Sequence, residues 1–212
     1  MLAPRFIRIP GCAALVAGAL AGASAAAEPI PLPSADFALT AKLARGGQME
    51  LAHSQGRMRV EMSHPNAPGT MVGLIDLKAR RMIMMMPNLP KMAVEVELPP
   101  DAVMGAQTGT GQRVGRSEVV GEPCDLWQVD PPPGRRIGPT IACITADGIA
   151  LRTEAEIRGT KQQLYVVESL KRGPQDPQQF QLPPGVKVMK MPKGKLGGIP
   201  VLPGLSPEAG DR

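Results

Sequence analysis

The sequence predicts a mainly β fold, an antiparallel meander with few short helices. Three observations carry this. Apolar residues recur at every second position in segment after segment, short turn signals separate those segments, and no long stretch shows helical periodicity.

The strands justify themselves in chain order. "FALTAKL" places Phe37, Leu39, Ala41 and Leu43 on one face, and "QMELAHS" places Met49 beside Leu51. In "GRMRVEM", Met58, Val60 and Met62 alternate with Arg57, Arg59 and Glu61. In "RMIMMM", Met82, Met84 and Met86 alternate with Arg81, Ile83 and Met85. "KMAVEVEL" sets Met92, Val94, Val96 and Leu98 against Glu95 and Glu97. "LRTEAEIRG" sets Leu151, Ala155 and Ile157 against Arg152, Glu154, Glu156 and Arg158. Each pattern buries one face of a strand and wets the other. Turn signals lie at Arg45-Gly46-Gly47, Ser54-Gln55-Gly56, Pro87-Asn88-Leu89-Pro90, Asp147-Gly148 and Arg158-Gly159-Thr160. The best helix candidate is "PPDAVMGAQ", residues 99–107. Residues 105–112 and 130–139 read as irregular, the latter as a stiff proline loop.

Residues 1–27 are read as a secretory signal peptide. Arg5 and Arg8 form a basic start, a short apolar run follows, and Ala25-Ala26-Ala27 is a small-residue cleavage pattern. The apolar run is too short for a membrane span, so the expectation is an exported protein of the periplasm that is not an integral membrane protein. Residues 28–191 form the expected single domain. Residues 192–212 form an expected disordered tail, because nine of its 21 residues are Gly or Pro.

Composition excludes several functions. Without Arg5 and Arg8 the chain has 22 basic against 19 acidic residues, too mild a balance to argue for nucleic acid. The remaining aromatics, Phe37, Trp127, Tyr165 and Phe180, are too few for a base-stacking platform. His53 and His64 lack metal-ligand spacing and are read as surface or structural residues. "GTGQRVG", residues 109–115, lacks the Lys-Ser/Thr ending of a phosphate loop and is read as a plain flexible loop. No catalytic constellation and no cofactor site emerges, and Glu154 and Glu156 read as a solvated face. Lys187, Lys190, Lys193 and Lys195 form a basic patch read as part of a solvated tail.

Two cysteines remain after the leader, which suits one disulfide in an oxidising compartment. Cys124 and Cys143 fall on facing strands of one hairpin when position numbers sum to about 267. That register sets Cys124 opposite Cys143 and Leu126 opposite Ile141, with both thiols on one face.

The methionines are the unusual feature. The turn at Pro87 to Pro90 pairs their strand with "KMAVEVEL" at positions summing to about 178. Met86 then lies by Met92, Met84 by Val94 and Met82 by Val96. Met58, Met62, Met82, Met84, Met86, Met92, Val94 and Val96 become the candidate apolar inner wall. Three uses stay open: a filled core, a deformable apolar ligand cavity, or a soft-metal site in which Met82, Met84, Met86 and Met92 hold Cu(I).

Four stretches together resemble a family. "GRSEVVGEPCDLWQV" resembles the E-x-V-x-G-x-x-C-x-x-W/Y-x-V signature of an uncharacterised family of exported bacterial proteins. "CITADGIALR", "FQLPPGVKVM" and "MIMMMPNLPKM" resemble its following hairpin, its closing segment and its methionine-rich strand. The residues that map are Gly121, Cys124, Trp127, Asp147, Gly148, Phe180, Pro183 and Gly185. The family is similar in architecture to the carriers LolA and LolB and the sensor RseB. That resemblance implies a strongly curved antiparallel sheet, a LolA/LolB-like half-open barrel around an apolar cavity, and no catalytic motif. The function expected from all this is a periplasmic non-enzymatic binding protein. It would hold a hydrophobic small molecule, a lipid, an acyl chain or a lipidated partner. The alternatives are a Met-rich Cu(I)-handling protein and a structural or interaction module with an envelope protein partner.

Overall fold

The computed structural model describes residues 27–67, 69–89, 91–98, 109–130 and 137–190. The expected leader up to residue 26, the helix candidate at 99–107 and the tail at 192–212 lie outside them. Among the described residues the chain forms thirteen strands and two 3-10 turns, at Ala44–Gly46 and Pro177–Phe180.

The strands in chain order are β1 (Glu28–Pro29), β2 (Phe37–Leu43), β3 (Gln48–Ser54), β4 (Arg57–Ser63), β5 (Thr70–Asp76), β6 (Arg81–Met85) and β7 (Met92–Glu97). They continue as β8 (Thr110–Val119), β9 (Glu122–Val129), β10 (Ile137–Ile144), β11 (Ala150–Ile157), β12 (Thr160–Arg172) and β13 (Lys187–Lys190). All join one curved, unclosed sheet in the order β1-β8-β9-β10-β11-β12-β2-β3-β4-β5-β6-β7-β13. Two meanders, β2 to β7 and β8 to β12, are fused where β12 pairs antiparallel with β2. Only β13 runs parallel to its neighbour, β7.

That order suits a curved sheet. β7 and β8 are consecutive in the chain yet ten strand steps apart, about 48 Å along a flat sheet at about 4.8 Å per step. The link from Glu97 to Thr110 spans no more than about 47 Å even when fully stretched. One apolar cluster runs along the sheet and contains Val94 and Leu98 of the first meander with Val119 and Cys124 of the second.

Several expectations change. Residues 109–115, read as a flexible loop, enter β8 at Thr110, and the pairing of β8 with β9 explains why. The expected loop at 130–139 ends earlier, because β10 begins at Ile137 and pairs with β11. Lys187 and Lys190 belong to β13 rather than to a tail, although their side chains remain exposed.

The hairpin carrying the cysteines is shifted by two positions. Cys143 faces Leu126, Ala142 faces Trp127 and Ile141 faces Gln128, so the register sum is 269. Cys124 and Cys143 are nevertheless joined by a disulfide with their Cα atoms 5.4 Å apart. An offset of two preserves the face on which each side chain points, whereas an offset of one would have parted the thiols.

Two segments outside the meanders tie the sheet together. The first, residues 30–36, leads from β1 into β2. Ile30 and Ser34 donate backbone N–H groups to Gly109 O and Asp147 O, each at 3.0 Å. Gly148 is required at that crossing. Its φ is +83°, and a Cβ there would sit 2.2 Å from Leu32 O. The second, residues 173–186, runs from β12 past β4, where Gln179 O accepts a 3.1 Å hydrogen bond from Arg59 Nη1, and ends in β13 against β7.

A charge cluster fastens three turns. Arg172 at the end of β12 bonds both carboxylate oxygens of Asp147, at 2.7 and 3.2 Å, and Glu122 at 2.9 Å. The Arg172 hydrogen bonds hold the Asp147 carboxyl below its ordinary 3.8, with a smaller contribution from Thr145 and against the effect of burial. A lowered folded-state value means stabilisation that is complete above the ordinary carboxyl range and lost as Asp147 takes up its proton in acid. We expect Asp147→Asn to cost about 1–2 kcal/mol near pH 7, since the cluster is partly solvated. The gap from wild type should close toward about pH 2, which urea midpoints at the two pH values would measure.

Candidate methionine-lined binding face

The inner face of β2 to β7 is built in three cross-strand layers. The first joins Phe37, His53, Met58, Ile75, Met82 and Val96. The second joins Leu39, Leu51, Val60, Gly73, Met84 and Val94. The third begins Ala41, Met49, Met62 and Met71. Its register continues one step beyond Val72↔Met85↔Ala93, to Met86 and then Met92. The register sum of 178 expected for β6 and β7 is the one observed, with Met82 facing Val96 and Met84 facing Val94.

Burial grades across these layers. Met58 and Val60 have no exposed surface, and Met82, Met84, Val94 and Val96 are all buried. In the third layer Met49 and Met62 are buried at 6% and 7%, while Met71, Met86 and Met92 are only half-buried. The third layer is therefore a rim, closed at the β3–β4 end and open toward β5, β6 and β7. It is made of methionine on β3, β4, β5 and β7, with Met86 just past the end of β6. On those strands the other two layers hold Leu, Val or Ile at five of ten positions and methionine at three. Branched aliphatics suit a pleated surface better than an unbranched thioether does, so strand propensity gives no reason for methionine here. Its flexible stem and polarizable sulfur do give one, because both adapt to irregular partners.

The structure places the expected wall residues on this one face, but not in one layer. Met82, Met84 and Met86 follow one another along a strand and so fall in three successive layers. Met86 and Met92 share the rim with Met62. Met71 is the residue that sequence reasoning missed. "TMVGLID" is an unbroken apolar run with a glycine inside it, so it showed no alternation, because both faces of β5 are apolar: Gly73 and Ile75 point inward, and Leu74 is buried outward. Its place between two short connections, to β4 and to β6, was the available signal.

The histidines do structural work. His53 is 1% exposed and stacks on Phe37 with ring centroids 5.4 Å apart. Its Nδ1 lies 2.7 Å from Ala35 O, which only accepts, so Nδ1 carries the proton and donates. Nε2 then accepts from Gly56 N–H at 3.1 Å, and both ring nitrogens are used. His64 accepts at Nδ1 from Asn66 N–H at 3.2 Å. Among the described residues no three His, Cys, Asp or Glu side chains gather as a metal site, and no helix is long and apolar enough to cross a membrane.

The second meander extends the same face. Trp127, Ala142, Thr153, Tyr165 and Leu43 are cross-strand neighbours in turn. Trp127, Ile30, Ala142, Ile144 and Ala150 form their own cluster, and Tyr165 packs against both clusters. Burial pushes the Tyr165 hydroxyl up to about 12, and it donates to Ala150 O at 3.1 Å. Two clefts, of about 230 and 510 Å³, lie beside the segment that leads to β13. The methionine rim lines neither.

No protein-family model and no curated protein sequence matches the chain. Solved structures do. The sheet is similar to that of MucB. One MucB structure aligns with a TM-score of 0.48 at 17% identity, over 73% of this chain and 60% of MucB. MucB in complex with MucA(peri) aligns at 0.46 and 17%, over 74% and 57%. The Pseudomonas aeruginosa MucA/MucB complex aligns at 0.46 and 17%, over 74% and 58%. The chain thus spans less than two thirds of MucB's length.

Proposed function

We propose that the chain is an exported, non-catalytic binding protein that receives a lipid, an acyl chain or a lipidated partner along the methionine rim of its half-barrel. The observation that carries this reading is the rim's composition and graded exposure. Met71, Met86 and Met92 offer half-exposed apolar surface, backed by buried Met49 and Met62. Met58, Met82, Met84, Val94 and Val96 form the packed floor that keeps the rim in place. Unbranched thioethers can re-pack around chains of differing length without backbone movement. Binding rather than chemistry is also favoured by the histidines, since the buried one spends both ring nitrogens on the fold.

The test is native mass spectrometry of protein purified from the exported compartment, together with titration of a fluorescent fatty acid. Saturable binding is expected, weakened at least about tenfold by Met86→Glu, because a carboxylate on the rim repels the fatty-acid carboxylate and opposes the acyl chain. No co-purifying lipid and no saturable binding would remove the proposal.

A further inference from the structure

We infer that Met49, Met62 and Met71 form a three-thioether site for a monovalent soft cation, Cu(I). The site stands on strand geometry and not on the apolar-ligand reading, although both use the rim. Met49 faces Met62 and Met62 faces Met71 on three adjacent strands of one face. Directly opposite residues in an antiparallel pair have Cβ atoms about 4.5–5.5 Å apart. A methionine sulfur sits two bonds beyond its Cβ, so the two outer sulfurs share an ion with the central one by both leaning along the layer toward Met62. Along a strand the same-face repeat is about 6.6 Å, so Met82, Met84 and Met86 extend over about 13 Å and cannot close on one ion. The cross-strand layer, and not the run of methionines in the sequence, is the unit that can converge.

The chemistry of the layer fits. Thioethers are neutral, soft donors that select Cu(I) over the hard divalent ions, which prefer oxygen. Among the described residues no thiolate competes, because Cys124 and Cys143 are joined to each other. Lys187 stands at the far end of the layer, opposite Met92, so its charge is remote from Met62. Half-buried Met71 opens the site to solvent, while Met49 and Met62 shield it from behind. The ion enters and leaves as Cu(I), with no change of oxidation state.

The experiment titrates Cu(I), kept reduced under anaerobic conditions, against a chromogenic Cu(I) chelator. Wild type is compared with Met62→Leu, Met71→Leu and the double variant Met82→Leu/Met84→Leu. Leucine keeps the apolar volume and removes only the sulfur. We expect one ion per wild-type chain and affinity at least about tenfold weaker for Met62→Leu and Met71→Leu. The Met82/Met84 double variant should bind as wild type does. X-ray absorption of the loaded wild type should show sulfur neighbours only. No competition with the chelator, equal loss in the Met82/Met84 variant, or a nitrogen and oxygen shell would each overturn the site. The absorption measurement needs no variant, so it decides even if a substitution fails to fold. Fatty-acid titration of wild type is read separately from the Cu(I) competition, so failure of one leaves the other proposal standing.

Discussion

Trp127→Ala is expected to destabilise the fold by about 3–5 kcal/mol, the largest effect of any single truncation we consider. Trp127 is 1% exposed and holds Ile30, Ala142, Ile144 and Ala150 around it. Its neighbour across β10 is Ala142, which is too small to fill the space, and the sheet ladders on both sides prevent collapse. The ring also carries the Arg113 guanidinium 4.8 Å from its centroid, an attraction that alanine cannot offer. Arg113 in turn reaches Glu28 at 3.5 Å, so the loss should spread to the first described strand. Urea unfolding of the two proteins would measure the cost. Hydrogen exchange should show residues 28–36 losing protection first. A midpoint shift worth less than about 1 kcal/mol would mean that the cluster does not depend on the indole.

Removing the disulfide should cost up to about 3 kcal/mol, the chain-entropy value for the loop between Cys124 and Cys143. Both cysteines must be replaced, by alanine, so that no lone thiol is left to form mixed disulfides. The β9–β10 ladder already holds this hairpin closed, which places the expected loss below that ceiling rather than above it. The pair also has a long-range role. Cys124 and Cys143 are buried at 5% and 1% within the cluster that includes Leu151 and Phe37, so the crosslink anchors the second meander to the shared core. Reductant should therefore lower the urea midpoint of wild type and leave the double-alanine protein unchanged. An equal response of the two proteins would show that the crosslink contributes nothing.

Much of the fold was legible where one face of a strand is buried and the other is wet. β2, β3, β4, β6, β7 and β11 all announced themselves by alternation. β5 did not, because both its faces are apolar. β12 did not, because its outer stretch is largely solvated and so carries no apolar row. β8 did not, because Gln112 to Arg116 are all exposed and the segment's glycines imitate a loop. In each case the strand is held by its ladder partners, and backbone pairing leaves no mark on the side-chain pattern. The cysteine hairpin shows the same limit on a finer scale. The face was readable from parity, while the register depended on how far the ladder slid, and a slide of two leaves parity unchanged.

The candidate site divides in the same way. By itself the sequence determined that methionines would crowd one inward face and that β6 and β7 would pair with Met84 against Val94. Side-chain parity and a short proline-bounded turn suffice for that. Only the tertiary structure decided that Met49, Met62 and Met71 lie side by side. Met49, Met62 and Met71 are 13 and 9 residues apart in the chain and become neighbours through two successive ladders. The closing of the two meanders into one curved sheet was likewise beyond the sequence. It follows from the pairing of β12 with β2, a contact between segments more than a hundred residues apart that no local pattern encodes.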